Sequence, residues 1–249
     1  RTYKGKPFLL EEHIARLRKA LDEFRIDVEL DIEMLTATIV ELNDRSGGED
    51  GYFRLNVSAG VHDIGLAPSV YEKPTIILFR KPLPPLTRGK EKSAVWLKTR
   101  RNTPESEYRY KSHHYANNVL ARLELPSLAE QEGFFLTEQG HVAEGITSNI
   151  FWVTDSVLYT PALETGILAG ITRDIVMRIA ESLGIIVVEG LFTVDKLEAA
   201  TEVFVTNAVQ ELVPIHRLGS IQFDGSNGLI YLNLHEHYVN QVTHTSKER

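Results

Sequence analysis

The sequence contains no cysteine, and no apolar stretch approaches the roughly 20 residues that a membrane-spanning helix needs. Without thiols there is no disulfide framework, no thiolate metal site and no cysteine nucleophile. Positive charge is also scarce: 27 Lys and Arg stand against 34 Asp and Glu, a net charge of −7. That balance argues against a protein that wraps nucleic acid. No basic-then-apolar signal segment opens the chain, so we expect a soluble, cytoplasmic protein with no nucleic-acid or membrane partner.

The sequence does contain enough apolar residues for a sizeable core. Its 249 residues are 43% hydrophobic, which suits one large or two small domains. The chain opens at Arg1 without an initiator methionine, which favours a piece of a longer protein. We expect an α+β fold with a small N-terminal lobe over 1–82. A linker with a connecting strand is expected over 83–110, and a large C-terminal lobe over 111–249.

Hydrophobic periodicity predicts the helices and strands of both lobes. Helices are predicted over 12–24, 32–42, 117–124 and 172–183, and the segment ending at Asn240 also looks helical. Strands are predicted over 52–58, 75–79, 95–99, 134–137, 149–153, 157–159 and 202–206. Residues 81–85 are rich in proline, so we expect an extended connection there rather than a continued strand.

Two glycines bracket a short apolar loop that leads directly into a predicted helix, in the sequence GILAGITR at 166–173. Free backbone N–H groups at a helix start, together with the Thr172 hydroxyl, suit a phosphate group. The alternative is that Thr172 simply caps an ordinary helix. The stretch is therefore a candidate anion site.

Three charged residues are candidates for a site, and each has an ordinary alternative. Glu144 stands beside a glycine in a turn of small residues, where burial would require a cationic partner or a protonated ring nitrogen. It is otherwise a solvated turn glutamate. Lys111 precedes a predicted helix, where a side chain can be anchored and exposed, but most lysines are surface charges. Arg16 edges the apolar face of the first helix, so it reaches inward to an anion or lies along the surface.

A metal site is not predicted. His113 and His114 are adjacent, so on a helix their side chains point about 100° apart. His235 and His237 would share a side only in a strand, and no other grouping of histidines and carboxylates has zinc spacing.

Taken together, these stretches resemble the class IV, or fold type IV, pyridoxal-phosphate enzymes. That family contains branched-chain and D-amino acid aminotransferases and aminodeoxychorismate lyases. The resemblance is carried by EHIARL at 12–17, AEGITSN at 143–149, LAGITR at 168–173 and FVTNA at 204–208. Within the family, RRNTPE at 100–105 followed by KSHHY at 111–115 is most similar to the aminodeoxychorismate lyases of Bacillus-type bacteria.

The resemblance implies a fold of two α/β lobes with pyridoxal 5'-phosphate between them. Lys111 matches the lysine that holds the cofactor covalently, Glu144 the carboxylate facing the pyridine nitrogen, and Leu168 the apolar residue packed on the ring. The phosphate group is expected to contact Arg16, Ile171, Thr172, Asn207 and Ala208. Relatives often have hydroxyl residues at the last two positions. Tyr115 falls near a tyrosine that contacts the ring oxygen in some members.

The implied activity is 4-amino-4-deoxychorismate lyase, which eliminates pyruvate and gives 4-aminobenzoate for folate biosynthesis. Two alternatives stay open: a D-amino acid or branched-chain aminotransferase of the same fold, and a non-catalytic relative. Arg100, Arg101 and Arg109 are candidates for the substrate's carboxylates, although each is otherwise a solvated strand arginine. The resemblance also implies a homodimer. Relatives carry a strand with a Gly-Asp-Gly-x-Phe-Glu-Thr-like segment just before the position of Arg1, which the sequence lacks.

Overall fold

The chain divides into two units, and the computed structural model describes residues 1–62, 65 and 70–244 of it. One unit comprises Arg1–Pro85 and Gln241–Arg249, and the other comprises Leu86–Asn240. The segment 83–110, expected as a linker with a connecting strand, belongs to the larger unit from Leu86 onward. Residues 63–64, 66–69 and 245–249 of the expected lobes lie outside the described residues.

Within its described residues, the smaller unit contains two whole helices and two two-stranded sheets. Its elements are β1 (Thr2–Tyr3), β2 (Lys6–Pro7), α1 (Leu10–Glu23), α2 (Ile32–Asp44), β3 (Gly51–Ser58) and β4 (Thr75–Pro82). Ile14 and Leu21 of α1 share an apolar cluster with Leu30 and Leu35. Asp31 caps α2, because its carboxylate accepts the N–H groups of residues 33 and 34 over 2.8 and 3.1 Å. Both predicted helices are confirmed, with each end within two residues of the prediction.

Strand β4 is longer than predicted, so the expected connection is wrong for Lys81 and Pro82. Pro82 pairs with Gly51 at the end of a two-stranded antiparallel sheet. A proline is tolerated there because a strand in such a sheet has one edge without a partner, where a missing N–H costs no ladder hydrogen bond.

The larger unit is built on a nine-stranded mixed sheet. Its strands are β5 (Lys92–Trp96), β6 (Gln131–Leu136), β7 (Val142–Gly145), β8 (Asn149–Thr154), β9 (Val157–Pro161), β10 (Val187–Gly190), β11 (Glu202–Asn207), β12 (Glu211–Leu218) and β13 (Ile221–Gln222). The order is β10-β9-β8-β11-β12-β5-β6-β7, with β13 on β12. Pairs β10–β9, β12–β5 and β5–β6 are parallel, and the others are antiparallel. Phe134, Trp152 and Ile215 belong to one buried cluster of this unit.

Four helices accompany this sheet: α3 (Ala116–Leu123), α4 (Ile171–Ser182), α5 (Val194–Glu198) and α6 (Leu229–His244). The expected helices at 117–124, at 172–183 and before Asn240 are confirmed. Strand β5 begins at Lys92, three residues before its predicted start. Strand β12 was not predicted, because Pro214 interrupts its pattern. It nevertheless pairs with both β11 and β5, and its register against β5 shifts between Ile215 and Arg217.

Two features are absent from the described part of the chain. None of its helices is long and apolar enough to cross a membrane. No three of its histidine, aspartate or glutamate side chains are grouped so that they could hold a metal ion.

Candidate active site

Glu144 lies near the end of β7, where the chain turns through 145–148 into β8. The Gly145 N–H donates to the Ser148 carbonyl over 2.8 Å and closes the turn. A Cβ at 145 would collide with the Ser148 hydroxyl and come within 3.1 Å of Glu132 Oε1, so glycine lets the turn pack against these side chains as they stand. The turn leaves Glu144 4% exposed. The alternative of a solvated turn glutamate is therefore wrong.

The buried Glu144 carboxylate is held by partners on both oxygens. Arg101 Nε and Nη2 lie 2.8 and 2.7 Å from Oε1. The Leu168 N–H donates to Oε2 over 3.0 Å. Arg109 Nε is farther away, 4.0 Å from Oε1. Charge-assisted hydrogen bonds of this kind fix the orientation of a carboxylate.

Helix α3 holds Arg101 in place from its polar side. Arg101 Nη1 donates to Asn117 Oδ1 over 2.7 Å and to Asn118 Oδ1 over 3.2 Å. Asn118 Nδ2 then donates to the carbonyl of Ile146, in the turn that carries Glu144, over 2.6 Å. The helix that follows Lys111 is thus tied to the Glu144 carboxylate through one buried arginine.

Two of the three candidate arginines are engaged inside the protein. Arg109 Nε donates to the Gly166 carbonyl over 2.5 Å, and its Nη2 donates to the carbonyl of Asn102. Burial lowers the pKa of Arg109, and the nearby Arg101 charge lowers it further. The alternative of a solvated strand arginine is wrong for Arg101 and Arg109, whereas Arg100 is exposed. Their guanidinium groups serve internal acceptors, so the structure supports neither as a carboxylate clamp.

Leu168 has both backbone polar groups bound by side chains, one on β7 and one on β8. Its N–H donates to Glu144 Oε2, and its carbonyl accepts from Asn149 Nδ2 over 2.9 Å. Leu168 also forms an isolated parallel β-bridge with Arg109. The loop before α4 is therefore fixed to β7, to β8 and to the segment that leads to Lys111.

Helix α4 begins as the sequence predicts, and its first turn remains open. Its N-cap is Gly170, with no side-chain cap. Thr172 is instead a buried residue of the first turn, so the alternative that it caps the helix is wrong. Within the described residues, the N–H groups of Ile171 and Thr172 have no hydrogen-bond partner. A Cβ at Gly170 would collide with Asn149 Oδ1, so glycine lets the helix start approach β8.

The turn between β11 and β12 lies next to the start of β8. In the sheet Thr206 is paired with Asn149, so Asn207 and Ala208 follow directly. The Asn207 carboxamide oxygen accepts the N–H groups of Val209 and Gln210 over 2.9 and 2.8 Å. The Ala208 N–H has no hydrogen-bond partner among the described residues. The turn therefore offers an amide where relatives were expected to have a hydroxyl.

Lys111 and Tyr115 precede helix α3, and Arg16 lies on helix α1. Lys111 and Tyr115 are exposed in the single chain. They bracket a short segment between Arg109 and Asn117, both of which belong to the Glu144 network. Arg16 lies on α1 in the smaller unit and is partly buried, and burial lowers its pKa to about 10. That burial favours an inward-reaching Arg16 over a surface one.

The polar groups of the larger unit match those of pyridoxal phosphate. An oriented, buried carboxylate suits a protonated ring nitrogen, and an open helix start suits a phosphate dianion. The Thr206 hydroxyl is also buried without a partner in the described part of the chain. Buried polar atoms of this kind call for a partner.

Comparison with known proteins identifies the class. The family described as amino-transferase class IV matches residues 1–218, so the chain belongs to this family of pyridoxal-phosphate-dependent enzymes. It is 40% identical over 232 residues to the aminodeoxychorismate lyase of Bacillus subtilis (strain 168), covering 92% of this chain and 78% of the relative. It is 37% identical over 219 residues to a putative branched-chain-amino-acid aminotransferase of Methanocaldococcus jannaschii, covering 88% and 76%.

A solved structure has the same fold. The crystal structure of a putative 4-amino-4-deoxychorismate lyase from Legionella pneumophila superposes with a TM-score of 0.88 at 24% identity, covering 97% of this chain and 88% of that one. The expected fold type IV architecture is thereby confirmed.

Proposed function

We propose that the protein is a 4-amino-4-deoxychorismate lyase, which releases pyruvate and forms 4-aminobenzoate for folate biosynthesis. The observation that carries the cofactor chemistry is the direct hydrogen bond from Leu168, just before the open start of α4, to the buried Glu144 carboxylate. The similarity to the Bacillus subtilis lyase favours this reaction within the family.

Each proposed residue has a distinct task toward the cofactor. Lys111 anchors it covalently, Glu144 faces the ring nitrogen, and Leu168 packs on the ring. Tyr115 contacts the ring oxygen. The phosphate group is assigned to Arg16, Ile171, Thr172, Asn207 and Ala208.

The proposed reaction needs one mobile base and one fixed anion. When bound, pyridoxal phosphate supplies an electron sink for the carbon that carries the substrate's amine. Glu144 raises the pKa of the ring nitrogen and keeps it protonated. Lys111 accepts the proton from the amine-bearing carbon. The C–O bond to the enolpyruvyl group then breaks, the departing group takes up a proton as pyruvate, and the carbocycle becomes aromatic.

An assay without any amino-group acceptor tests this proposal. Purified protein with pyridoxal phosphate is given aminodeoxychorismate and no 2-oxo acid, and pyruvate is followed with lactate dehydrogenase. Stoichiometric release of pyruvate and 4-aminobenzoate is the expected result. An absolute requirement for a 2-oxo acid, with transfer of the amino group to it, would instead establish an aminotransferase.

The aminotransferase alternative has an observation of its own. The relative from Methanocaldococcus jannaschii is nearly as similar in sequence as the lyase. The same assay with a branched-chain or D-amino acid and 2-oxoglutarate distinguishes the two reactions.

We also propose that the protein is a cytoplasmic homodimer. Helix α3 supports the dimer, because Val119, Leu120 and Leu123 on it are 55%, 57% and 76% exposed in the single chain. An exposed apolar cluster of this kind is typical of a surface that another protein chain covers.

A further inference from the structure

The turn at 207–210, between β11 and β12, ends in an unfavourable backbone conformation. Glu211, the first residue of β12, has φ +63°, a left-handed conformation that is unfavourable for a residue with a side chain. Asn207 stabilises the turn from inside by accepting the N–H groups of Val209 and Gln210. A residue in such a conformation persists only where contacts with the surrounding structure hold it there.

Arg88 forms a bidentate ion pair with the carboxylate of Glu211. Arg88 Nε donates to Oε2 over 2.8 Å, and Nη2 donates to Oε1 over 3.0 Å. The Glu211 side chain is 0% exposed, while that of Arg88 is 38% exposed. A buried carboxylate is costly unless it is paired. This fork therefore compensates the Glu211 charge and fixes the end of the turn.

Lys92 forms a hydrogen bond with Gln210, the residue before Glu211 in the same turn. Its Nζ donates to Gln210 Oε1 over 2.7 Å and to the Leu128 carbonyl over 2.6 Å. Glu132 Oε2 lies 3.8 Å away. Two successive residues at the end of the turn are therefore held by two cations from one short segment, 88–92, at the start of β5.

We propose that Arg88 and Lys92 are positioning residues that hold the turn at 207–210 as a phosphate-binding turn for the cofactor. A hairpin can close through Asn or Gly without a strained glutamate and two paired cations. Here the same contacts fix the turn that presents the unpartnered Ala208 N–H. This inference rests on the proposed function, which assigns Asn207 and Ala208 to the phosphate group.

The test compares the affinity for pyridoxal 5'-phosphate with that for pyridoxal, which lacks the phosphate group. Dissociation constants are measured by absorbance titration of the cofactor-free full chain. We expect Arg88→Gln to weaken pyridoxal phosphate binding by about tenfold or more and to change pyridoxal binding less than about twofold. Arg88→Lys keeps the charge without the fork and is expected to fall between. Arg45→Gln, which removes an exposed ion pair at the C-terminal end of α2, is the control and should change neither constant.

Gln210→Ala is a second variant for the case in which Arg88→Gln does not fold. It removes the turn's contact with Lys92 but leaves Lys92 its bond to the Leu128 carbonyl. We expect it to weaken pyridoxal phosphate binding by about threefold, again without affecting pyridoxal. The 31P resonance of the bound phosphate should shift in either variant.

The outcomes separate the two proposals. Folded variants that bind pyridoxal phosphate as the unmodified protein does, or that lose affinity for both ligands equally, would overturn the positioning role alone. An unmodified protein that binds neither ligand would overturn the proposed function and this inference with it.

Discussion

Removing the Lys111 amine tests the proposed chemistry at a single side chain. We expect Lys111→Ala to slow pyruvate release from aminodeoxychorismate by at least about a thousandfold, because a covalent anchor and proton acceptor is lost together. Borohydride reduction with pyridoxal phosphate, followed by peptide mass spectrometry, should label position 111 in the unmodified protein. Lys196→Ala, at an exposed lysine on α5, is the control. A variant at position 111 that keeps a tenth of the activity would contradict the assignment.

Glu132 predicts a dependence of stability on pH. Burial raises the pKa of its carboxyl to about 7, although Lys92 opposes the rise. Because the folded pKa exceeds that of the unfolded chain, the fold favours the protonated form. That contribution to stability is complete below about pH 4.5 and is lost as the pH rises through about 7.

Replacing the Glu132 carboxyl by an amide removes this titration. The free energy of unfolding of Glu132→Gln, relative to the unmodified protein, should increase between pH 5 and pH 8 by about 1–3 kcal/mol. Urea unfolding at the two pH values measures it. Glu138→Gln, at an exposed position, should show no such difference. A constant gap between the two proteins across this range would contradict the buried, titrating carboxyl.

Among single residues, the sequence identified the candidates but not their partners. Glu144 looked like a residue that is either solvated or paired, and only the fold brings Arg101, 43 positions away, to its carboxylate. Asn149 had no assigned role, although it clamps the carbonyl of Leu168. Local patterns do not encode such distant contacts. The signal that was available is the pair of asparagines, Asn117 and Asn118, on a helix whose other residues are apolar except for Arg122.

At the scale of the elements, the close approach of α4 to β8 makes Gly170 sensitive to substitution. A Cβ there would collide with Asn149 Oδ1, so Gly170→Ala should lower the free energy of unfolding by about 1–3 kcal/mol and weaken pyridoxal phosphate binding. Urea unfolding and absorbance titration measure the two effects. In the double variant with Asn149→Ala the collision is gone. The loss of unfolding free energy in the double variant should therefore be smaller than the sum of the losses in the two single variants. Strict additivity would count against this contact.

The elements with a regular apolar period were predictable, and those defined by tertiary pairing were not. Helices α1, α2 and α4 follow from their spacing of buried residues. Strand β12 was missed because Pro214 breaks its pattern, yet pairing on both sides overrides the local preference. Helix α3 was expected from its apolar side, but that side is exposed, and its asparagines face the protein.

At the scale of the whole molecule, the apolar side of α3 predicts self-association. Leu123→Glu should convert the proposed dimer into monomers. Leu123 is 76% exposed in the single chain, and a glutamate there would place a charge in the surface that the proposed dimer buries. Size-exclusion chromatography with light scattering measures the mass. Met34→Glu, which changes an exposed apolar residue on α2, should leave the dimer intact. A monomeric unmodified protein would contradict the dimer directly.

The double hold on Leu168 has a consequence for how the enzyme acquires its vitamin-derived group. One peptide unit is captured by a carboxylate on β7 and another by a carboxamide on β8, and neither capture requires anything outside the chain. This part of the cofactor site is consequently preorganised by contacts within the chain. Binding of pyridoxal phosphate there does not require the loop to become ordered, so the binding energy remains available for chemistry.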